Sequence, residues 1–315
     1  MALYVVTGGA GFIGSHLVDA LLAANHDVRV IDDLSTGVRD NLDPRAELVV
    51  GDAADAALVR TALDGAAGCY HLAAVASVAR ANEDWLGTNR SNLTATITVL
   101  DAARHVGRIP VVYASSAAVY GNQQDGLIAE TAAPAPLSAY GADKLASELH
   151  ARVGFGVHGV PTTGFRFFNV YGPRQDPASP YSGVISIFAA HIAAGHTITI
   201  NGDGLQTRDF IYVADIVRHL LAGMERLRIT PGATVFNACT GRALSVLALA
   251  RTLGDVAGRS PRIAFGPPRP GDVRSSLGDP TLAIQSLGVT AETVLAAGLS
   301  RTLANIHLRS LPLVA

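Results

Sequence analysis

The stretch VVTGGAGFIGSHL, residues 5–17, sets Gly8, Gly9, Gly11 and Gly14 directly behind an apolar run at residues 3–6. Glycine forfeits backbone entropy and packs nothing, so a cluster of this kind marks a turn that something must approach closely. Gly9, Gly11 and Gly14 have the spacing G-x-G-x-x-G, with an apolar strand-like run before them and an amphipathic helical pattern, residues 13–24, after them. In that context the turn admits a pyrophosphate against backbone N–H groups at a positive helix N-terminus, and the last glycine lets helix and strand pack tightly. A chain that opens this way is committed to a parallel sheet.

The rest of the first half agrees. Short apolar runs at residues 28–31, 48–50, 69–72, 111–114 and 162–168 alternate with helical patterns at 57–63, 89–105 and 139–153. Such alternation defines βαβ units and an α/β, doubly wound parallel sheet. From residue 173 the pattern loosens into YGPRQDPASPYSG, TITINGDG, a helical segment at 213–226 and the proline cluster FGPPRPGD, which predicts a smaller region supplying loops over the sheet. The predicted division is a dinucleotide-binding region at 1–168, with 211–238 returning to it, and a smaller mixed α/β substrate-binding region at 169–210 and 239–315. With 315 residues and 49% hydrophobic content there is ample core, and a net charge of -2 offers no basic field for nucleic acid or anionic membrane. Cys69 and Cys239 have no metal-ligand spacing and read as buried free thiols of a cytoplasmic protein, so no metal is expected. No run reaches the roughly 18 apolar residues of a membrane span.

Two groups of residues carry chemistry. Asp32 ends the second strand, 18 residues after Gly14, where a carboxylate takes both hydroxyls of an adenosine ribose and repels a 2'-phosphate, so NAD is expected over NADP. Asp52, after the third strand, offers a second carboxylate at the height of the adenine. Tyr140 and Lys144, four residues apart in SAYGADK, share one helix face. A neighbouring ammonium favours the phenolate of a tyrosine. Ser115 and Ser116 end the strand in VVYASSAAVYG, at the carboxyl edge where such sheets bind ligands. Serine, tyrosine and lysine beside NAD form a unit for oxidising an alcohol to a ketone, with Tyr140 taking the hydroxyl proton. The competing reading of the helix is a solvated charge ladder of Lys144, Glu148 and Arg152.

TGGAGFIG, DDLSTG, HLAA, SSAAVYG, YGADK, FRFFNVYGPRQ, GDGLQTRDFIYVAD and RPGD occur in the order seen in the extended short-chain dehydrogenase/reductases, and from about residue 3 to 280 the chain resembles the NAD-dependent UDP-hexose 4-epimerases. The resemblance implies a Rossmann sheet and a tightly held NAD that is reduced and reoxidised within one turnover through a 4-keto sugar. It implies Ser116, Tyr140 and Lys144 as catalytic residues. The implied cofactor site comprises Gly8, Gly11, Phe12, Ile13, Gly14, Asp32, Asp33, Ser35, Thr36, Gly37, Asp52, Ala53, Leu72, Ala73, Ala74, Asn92, Ser115 and Phe167, with Tyr140 and Lys144. The implied UDP-sugar site comprises Ser77, Ser116, Tyr140, Asn169, Thr199, Asn201, Arg208, Arg269, Asp272 and Ser276. Two guanidiniums suit a pyrophosphate and Asp272 suits ribose hydroxyls, whereas Asp209 and Asp215 read as structural caps.

The chain departs from the best-known glucose/galactose epimerases at Ala76, where they tend to carry lysine, and at Ser276, where glucose-restricted members carry a tyrosine against the sugar C2 substituent. A serine leaves room for an N-acetyl group. Sugar-nucleotide 4,6-dehydratases and decarboxylases place an acid one or two residues after the catalytic hydroxyl; here Ala117 and Ala118 stand there. The same scaffold also serves UDP-uronate 4-epimerases and non-catalytic NAD-sensing regulators, and the intact Tyr140 and Lys144 oppose a regulator. The helices at 89–105 and 139–153 are expected to pack into a four-helix bundle in a homodimer.

Overall fold

The computed structural model describes residues 1–123, 126–177, 183–268 and 273–310, with side chains described through residue 306. In chain order the strands are β1 (Leu3–Thr7), β2 (Asp27–Asp32), β3 (Glu47–Val50), β4 (Gly68–His71), β5 (Val111–Ser116), β6 (Thr162–Phe167), β7 (Asn169–Tyr171), β8 (Ile198–Asn201), β9 (Thr207–Tyr212), β10 (Ala233–Ala238), β11 (Ala243–Ser245), β12 (Ile263–Gly266) and β13 (Ser275–Ser276). The helices are α1 (Phe12–Ala23), α2 (Ala56–Leu63), α3 (Val78–Glu83), α4 (Trp85–Asn89), α5 (Ala95–His105), α6 (Ala139–His158), α7 (Val184–Ala193), α8 (Val213–Ile229), α9 (Val246–Val256), α10 (Thr281–Leu287) and α11 (Leu295–Ser310).

Seven parallel strands form the central sheet in the order β10-β6-β5-β4-β1-β2-β3. The order reverses between β1 and β4, so the loops leaving those two strands diverge and leave a crevice at the carboxyl edge, the ligand position of such sheets. Both faces are covered, which is why the strands read as continuous apolar runs. On one face Leu17, Leu21, Val30, Phe165, Ile216 and Leu220 join α1 and α8 to the sheet; on the other Val59, Leu63, Val99, Tyr113 and Ala151 join α2, α5 and α6. Residues from α8 and β10 thus belong to the sheet although they follow β7–β9 in sequence.

The smaller region is a strand set β11-β9-β13 with β7 also on β9, a parallel pair β8–β12, and α7, α9 and α11 packed around Phe188, Ile198, Leu249, Leu253 and Leu299. Asp209 and Asp215 are structural, as the sequence indicates: Asp209 accepts from Thr240 N, Thr240 Oγ1 and Gly241 N, and Asp215 pairs with Arg218.

One helix differs from its expected form. The segment expected to be a single helix at 89–105 begins as α4, widens into a π-helical turn at Arg90–Thr94 and only then runs on as α5. A π turn holds an extra residue, so it re-aims the side chains within it; this one turns Asn92 inward to full burial. By contrast α6 is regular and longer than expected. The Ser138 hydroxyl caps its start by accepting from Gly141 N, and Gly159, at φ 71°, ends it in the left-handed conformation that closes helices.

Candidate active site

The glycine turn lies at the carboxyl end of β1 and is packed to contact. A Cβ on Gly14 would lie 2.1 Å from the Gly8 carbonyl oxygen, and one on Gly8, itself at φ +71°, would lie 2.7 Å from Ala73 N. At Gly11 the only neighbour of such an atom is the Gly8 carbonyl oxygen, at 3.2 Å. Gly8 and Gly14 therefore answer to the protein's own packing, while Gly11 faces open space where a ligand's phosphates fit.

Asp32 sits beside this turn, 7% exposed, its Oδ2 accepting from Ala10 N at 2.9 Å and its Oδ1 from Leu34 N at 2.9 Å. Burial raises its pKa, and the two backbone N–H groups oppose that rise. A Cβ on Gly37 would strike the Asp32 carboxylate at 2.5 Å, so Gly37 holds its loop close over the acid. Asp33 closes the same loop by accepting from Ser35 N and Ser35 Oγ. Asp52 is half committed: it accepts from Ala54 N and pairs with Arg90 at 3.0 Å. The crevice, the glycine cradle and Asp32 fit a dinucleotide with free ribose hydroxyls.

Leu72, Ala73 and Ala74 follow β4 toward this crevice, held from both sides. Ala73 N donates to Thr7 Oγ1, and Asn92 clasps the peptide of Val75, accepting from Val75 N at 2.8 Å and donating to its carbonyl. Behind the loop is a buried polar column whose only members in sequence motifs are Thr7 of TGGAGFIG and His71 of HLAA, residues given no role from the sequence. His71 bonds Thr7 Oγ1 through Nδ1 and Thr96 Oγ1 through Nε2, and Ser147 on α6 donates to the same Thr96 oxygen. Burial, with the nearby Lys144, drives the His71 pKa down to about 3, so the ring is neutral and serves as a spacer.

At the end of β5, Ser116 hydrogen-bonds Tyr140, which burial pushes up in pKa while that bond opposes the rise. Lys144 is 3% exposed and donates to the Ala114 carbonyl at 2.9 Å, its Nζ 5.9 Å from the Tyr140 ring centroid. The two side chains share one helix face, as expected, and the ammonium's hydrogen bond goes to the Ala114 carbonyl. Burial lowers the Lys144 pKa to about 8, with Asp143 opposing. The solvated ladder is overturned: Glu148 is buried and pairs bidentately with Arg166 of β6, at 2.9 and 2.7 Å. Ser115 donates to this same Glu148 carboxylate at 2.5 Å, so its hydroxyl is turned from the crevice and only its backbone stands at the edge.

Lys144 is the sole lysine of the chain, among 24 lysines and arginines. Arginine cannot deprotonate in a protein whereas a buried lysine shifts readily, so the one position that keeps lysine is singled out by composition alone.

Most of the residues implied for the UDP-sugar lie on strands of the smaller region. Asn169 opens β7 two residues beyond the end of β6, and with Tyr171, Gln175, Gly183 and Phe210 it lines a small cavity of about 20 Å³. Arg208 of β9 lies in register with Ser276 of β13, and Arg208 Nη1 donates to the Thr207 carbonyl. Thr199 and Asn201 lie on β8, paired with Ala264 and Gly266. Ser77 caps α3 by accepting from Arg80 N. Phe167 ends β6, partly buried against the core. Arg269 and Asp272 lie outside the described residues.

The fold, the glycine turn and Asp32 define a Rossmann-type nucleotide-cofactor protein. The model of the NAD dependent epimerase/dehydratase family matches residues 4–239. UDP-glucose 4-epimerase of Mycolicibacterium smegmatis is 37% identical over 95% of this chain and 96% of its own length. UDP-glucose 4-epimerase of Thermotoga maritima, solved with UDP-glucose, superposes with a TM-score of 0.93 at 34% identity, covering 98% and 99% of the two chains. UDP-N-acetylglucosamine 4-epimerase of Methanobrevibacter ruminantium, solved with UDP-N-acetylmuramic acid, superposes with a TM-score of 0.92 at 32% identity over the same shares. The chain belongs to the NAD dependent epimerase/dehydratase family, and its cofactor is NAD.

Proposed function

We propose that the chain inverts C4 of a UDP-hexose, interconverting the glucose and galactose forms and also their N-acetylated counterparts. The observation that carries this is the Ser116–Tyr140–Lys144 group at the carboxyl edge, beside the glycine cradle and with no acid following Ser116. NAD, when bound, supplies a two-electron acceptor and donor for C4. Tyr140 takes the O4 proton on oxidation and returns it on reduction, Ser116 holds the same oxygen, and the Lys144 charge favours the phenolate. Ala117 and Ala118 form a short 3-10 turn after Ser116 and offer no proton for elimination or decarboxylation. The substrates named for the relatives, UDP-glucose and UDP-N-acetylglucosamine, support the sugar class.

In this reading the cofactor region is 1–168 with 211–238, and residues 169–210 and 239–315 bind the UDP-sugar through Asn169, Thr199, Asn201, Arg208 and Ser276. The chain forms a homodimer: Leu149, Val153 and Val157 make an exposed apolar stripe along α6, with Ile97 exposed on neighbouring α5. The two buried free thiols support a reducing, cytoplasmic setting.

The test is a coupled assay of the purified protein on UDP-galactose, UDP-N-acetylgalactosamine and UDP-galacturonate. Turnover of the first two and not the third is expected, and turnover of none of them sinks the reading. Ser276→Tyr should remove the N-acetylated activity selectively, because a small pocket rejects a large group strongly while a large one rejects a small group by only about 1–3 kcal/mol. Equal losses on both pairs would place Ser276 away from C2.

A further inference from the structure

His71 closes β4 and is 3% exposed, between Thr7 of β1 and Thr96 of α5, both buried. Counting donors and acceptors fixes the hydrogens on these three side chains. Ala73 N donates to Thr7 Oγ1 at 3.2 Å, so the Thr7 hydroxyl keeps its own proton for His71 Nδ1, 2.8 Å away. Nδ1 is then an acceptor, and a ring with one proton carries it on Nε2, where it meets Thr96 Oγ1 at 3.1 Å. The Thr96 hydroxyl donates in turn to the Asn92 carbonyl of the π turn at 2.7 Å, while its oxygen also accepts from Ser147 of α6 at 3.2 Å. With the proton on Nδ1 instead, the Thr7 hydroxyl would have no acceptor in the column and Thr96 would have to leave Asn92 to face Nε2. A buried donor left without an acceptor is costly. Burial, with the nearby Lys144, opposes a second proton on the ring.

The direction of the column matters because of what its two ends hold. Ala73 N lies 2.7 Å from where a Cβ on Gly8 would stand, and Leu72 N donates to the Thr7 carbonyl. The peptide of Val75 is held by the Asn92 side chain. Thr7 and Asn92 thus grip the chain at 72–75 from two sides, and His71 joins the two grips. We infer that His71 is a positioning residue: with its proton on Nε2 it turns the Thr7 hydroxyl oxygen toward Ala73 N, setting the loop at 72–75 against the dinucleotide crevice, and through Thr96 and Ser147 it ties that loop to α6, the helix of Tyr140 and Lys144. The inference rests on the reading that residues 72–74 meet NAD.

Holoenzyme labelled with ¹⁵N-histidine tests the tautomer, because the two-bond ¹H–¹⁵N pattern of a ring protonated on Nε2 differs from that of the Nδ1 form and of imidazolium. Among the 10 histidines, His71 is the ring lost in His71→Asn or, should that variant not fold, the ring displaced in Thr7→Ser. The Nε2 form is expected at neutral pH, and either other form overturns the inference. Thr7→Val keeps the shape of the side chain and removes the hydroxyl; the dissociation constant of NAD in stripped protein should rise about threefold to tenfold, the worth of one hydrogen bond. Thr7→Ser should restore the parental value. A side chain that only filled space would behave the other way, with valine tolerated and serine not. An unchanged constant in folded Thr7→Val, or no recovery in Thr7→Ser, overturns the inference; should Thr7→Val not fold, Thr7→Ala carries the same expectation and the same refutation. A parent protein inactive on UDP-hexoses would defeat the C4 reading alone, because the tautomer and the NAD affinity are read without any sugar.

Discussion

Replacing Gly14 by alanine puts a methyl carbon 2.1 Å from the Gly8 carbonyl oxygen and 2.7 Å from Gly9 Cα. Both obstacles are backbone, in a turn pinned by Gly8 N donating to Ile31 O and by Ser15 N donating to Gly11 O. No rotamer change relieves the overlap, so α1 must lift from the turn. Overpacking costs about 1–3 kcal/mol, and with only backbone to yield the upper end applies. For a chain of this size a loss of about 3 kcal/mol lowers Tm by roughly 5–10 °C. Lifting α1 also withdraws the N-terminal N–H groups from the phosphates, so the variant should purify with little NAD. Gly11→Ala separates the two effects: its methyl group meets only an oxygen at 3.2 Å and otherwise projects into the ligand space. That variant should lose NAD while its Tm in the cofactor-free form stays near the parent's. Calorimetry of cofactor-stripped protein, with NAD content read by acid release and absorbance, decides it. A Gly14→Ala variant with parental Tm and full NAD would show that the turn is not packed as described.

Tyr140→Phe keeps the ring and removes the proton carrier; NAD and UDP should still bind while kcat falls at least about a hundredfold, and activity within a few fold of the parent would remove Tyr140 from the chemistry. Asp32→Asn should narrow the preference for NAD over NADP, measured as the ratio of dissociation constants in stripped protein, because the charge that repels a 2'-phosphate is gone. An unchanged ratio would reduce Asp32 to its two backbone bonds. Glu148→Gln leaves Arg166 buried without its counter-ion and should lower the unfolding free energy by about 3–5 kcal/mol in urea titrations, a loss that Glu148→Asp should share only in part.

How far the sequence reveals the structure follows from where its signals are strong. Parallel strands covered on both faces read as plain apolar runs, so the six earlier strands of the sheet are legible; β10 (Ala233–Ala238) is not, because ATVFNA carries a buried asparagine next to its end. Asn237 holds that place by donating to the Ile128 and Asp279 carbonyls and accepting from Tyr120. The π turn is invisible because helical periodicity continues on both sides of it. Ser115 and Ser116 look equivalent, yet successive strand side chains point to opposite faces, so one of the two has to turn away from the crevice. Asp143 and Glu148 look like the polar face of a helix. Only the packing of the π turn against one and β6 against the other shows that both are buried.

Helix α6 joins these results because three demands fall on its successive faces. Tyr140 and Lys144 face the crevice, Asp143, Ser147 and Glu148 tie it to α4, to Thr96 of α5 and to β6, and Leu149, Val153 and Val157 lie open along the outside. In the proposed reaction the Lys144 charge acts on Tyr140 from a distance, so the two must be held rigidly by the helix they share. The ties supply that rigidity from inside the subunit. A partner covering the apolar stripe, as in the proposed dimer, would add to it from outside through the same helix.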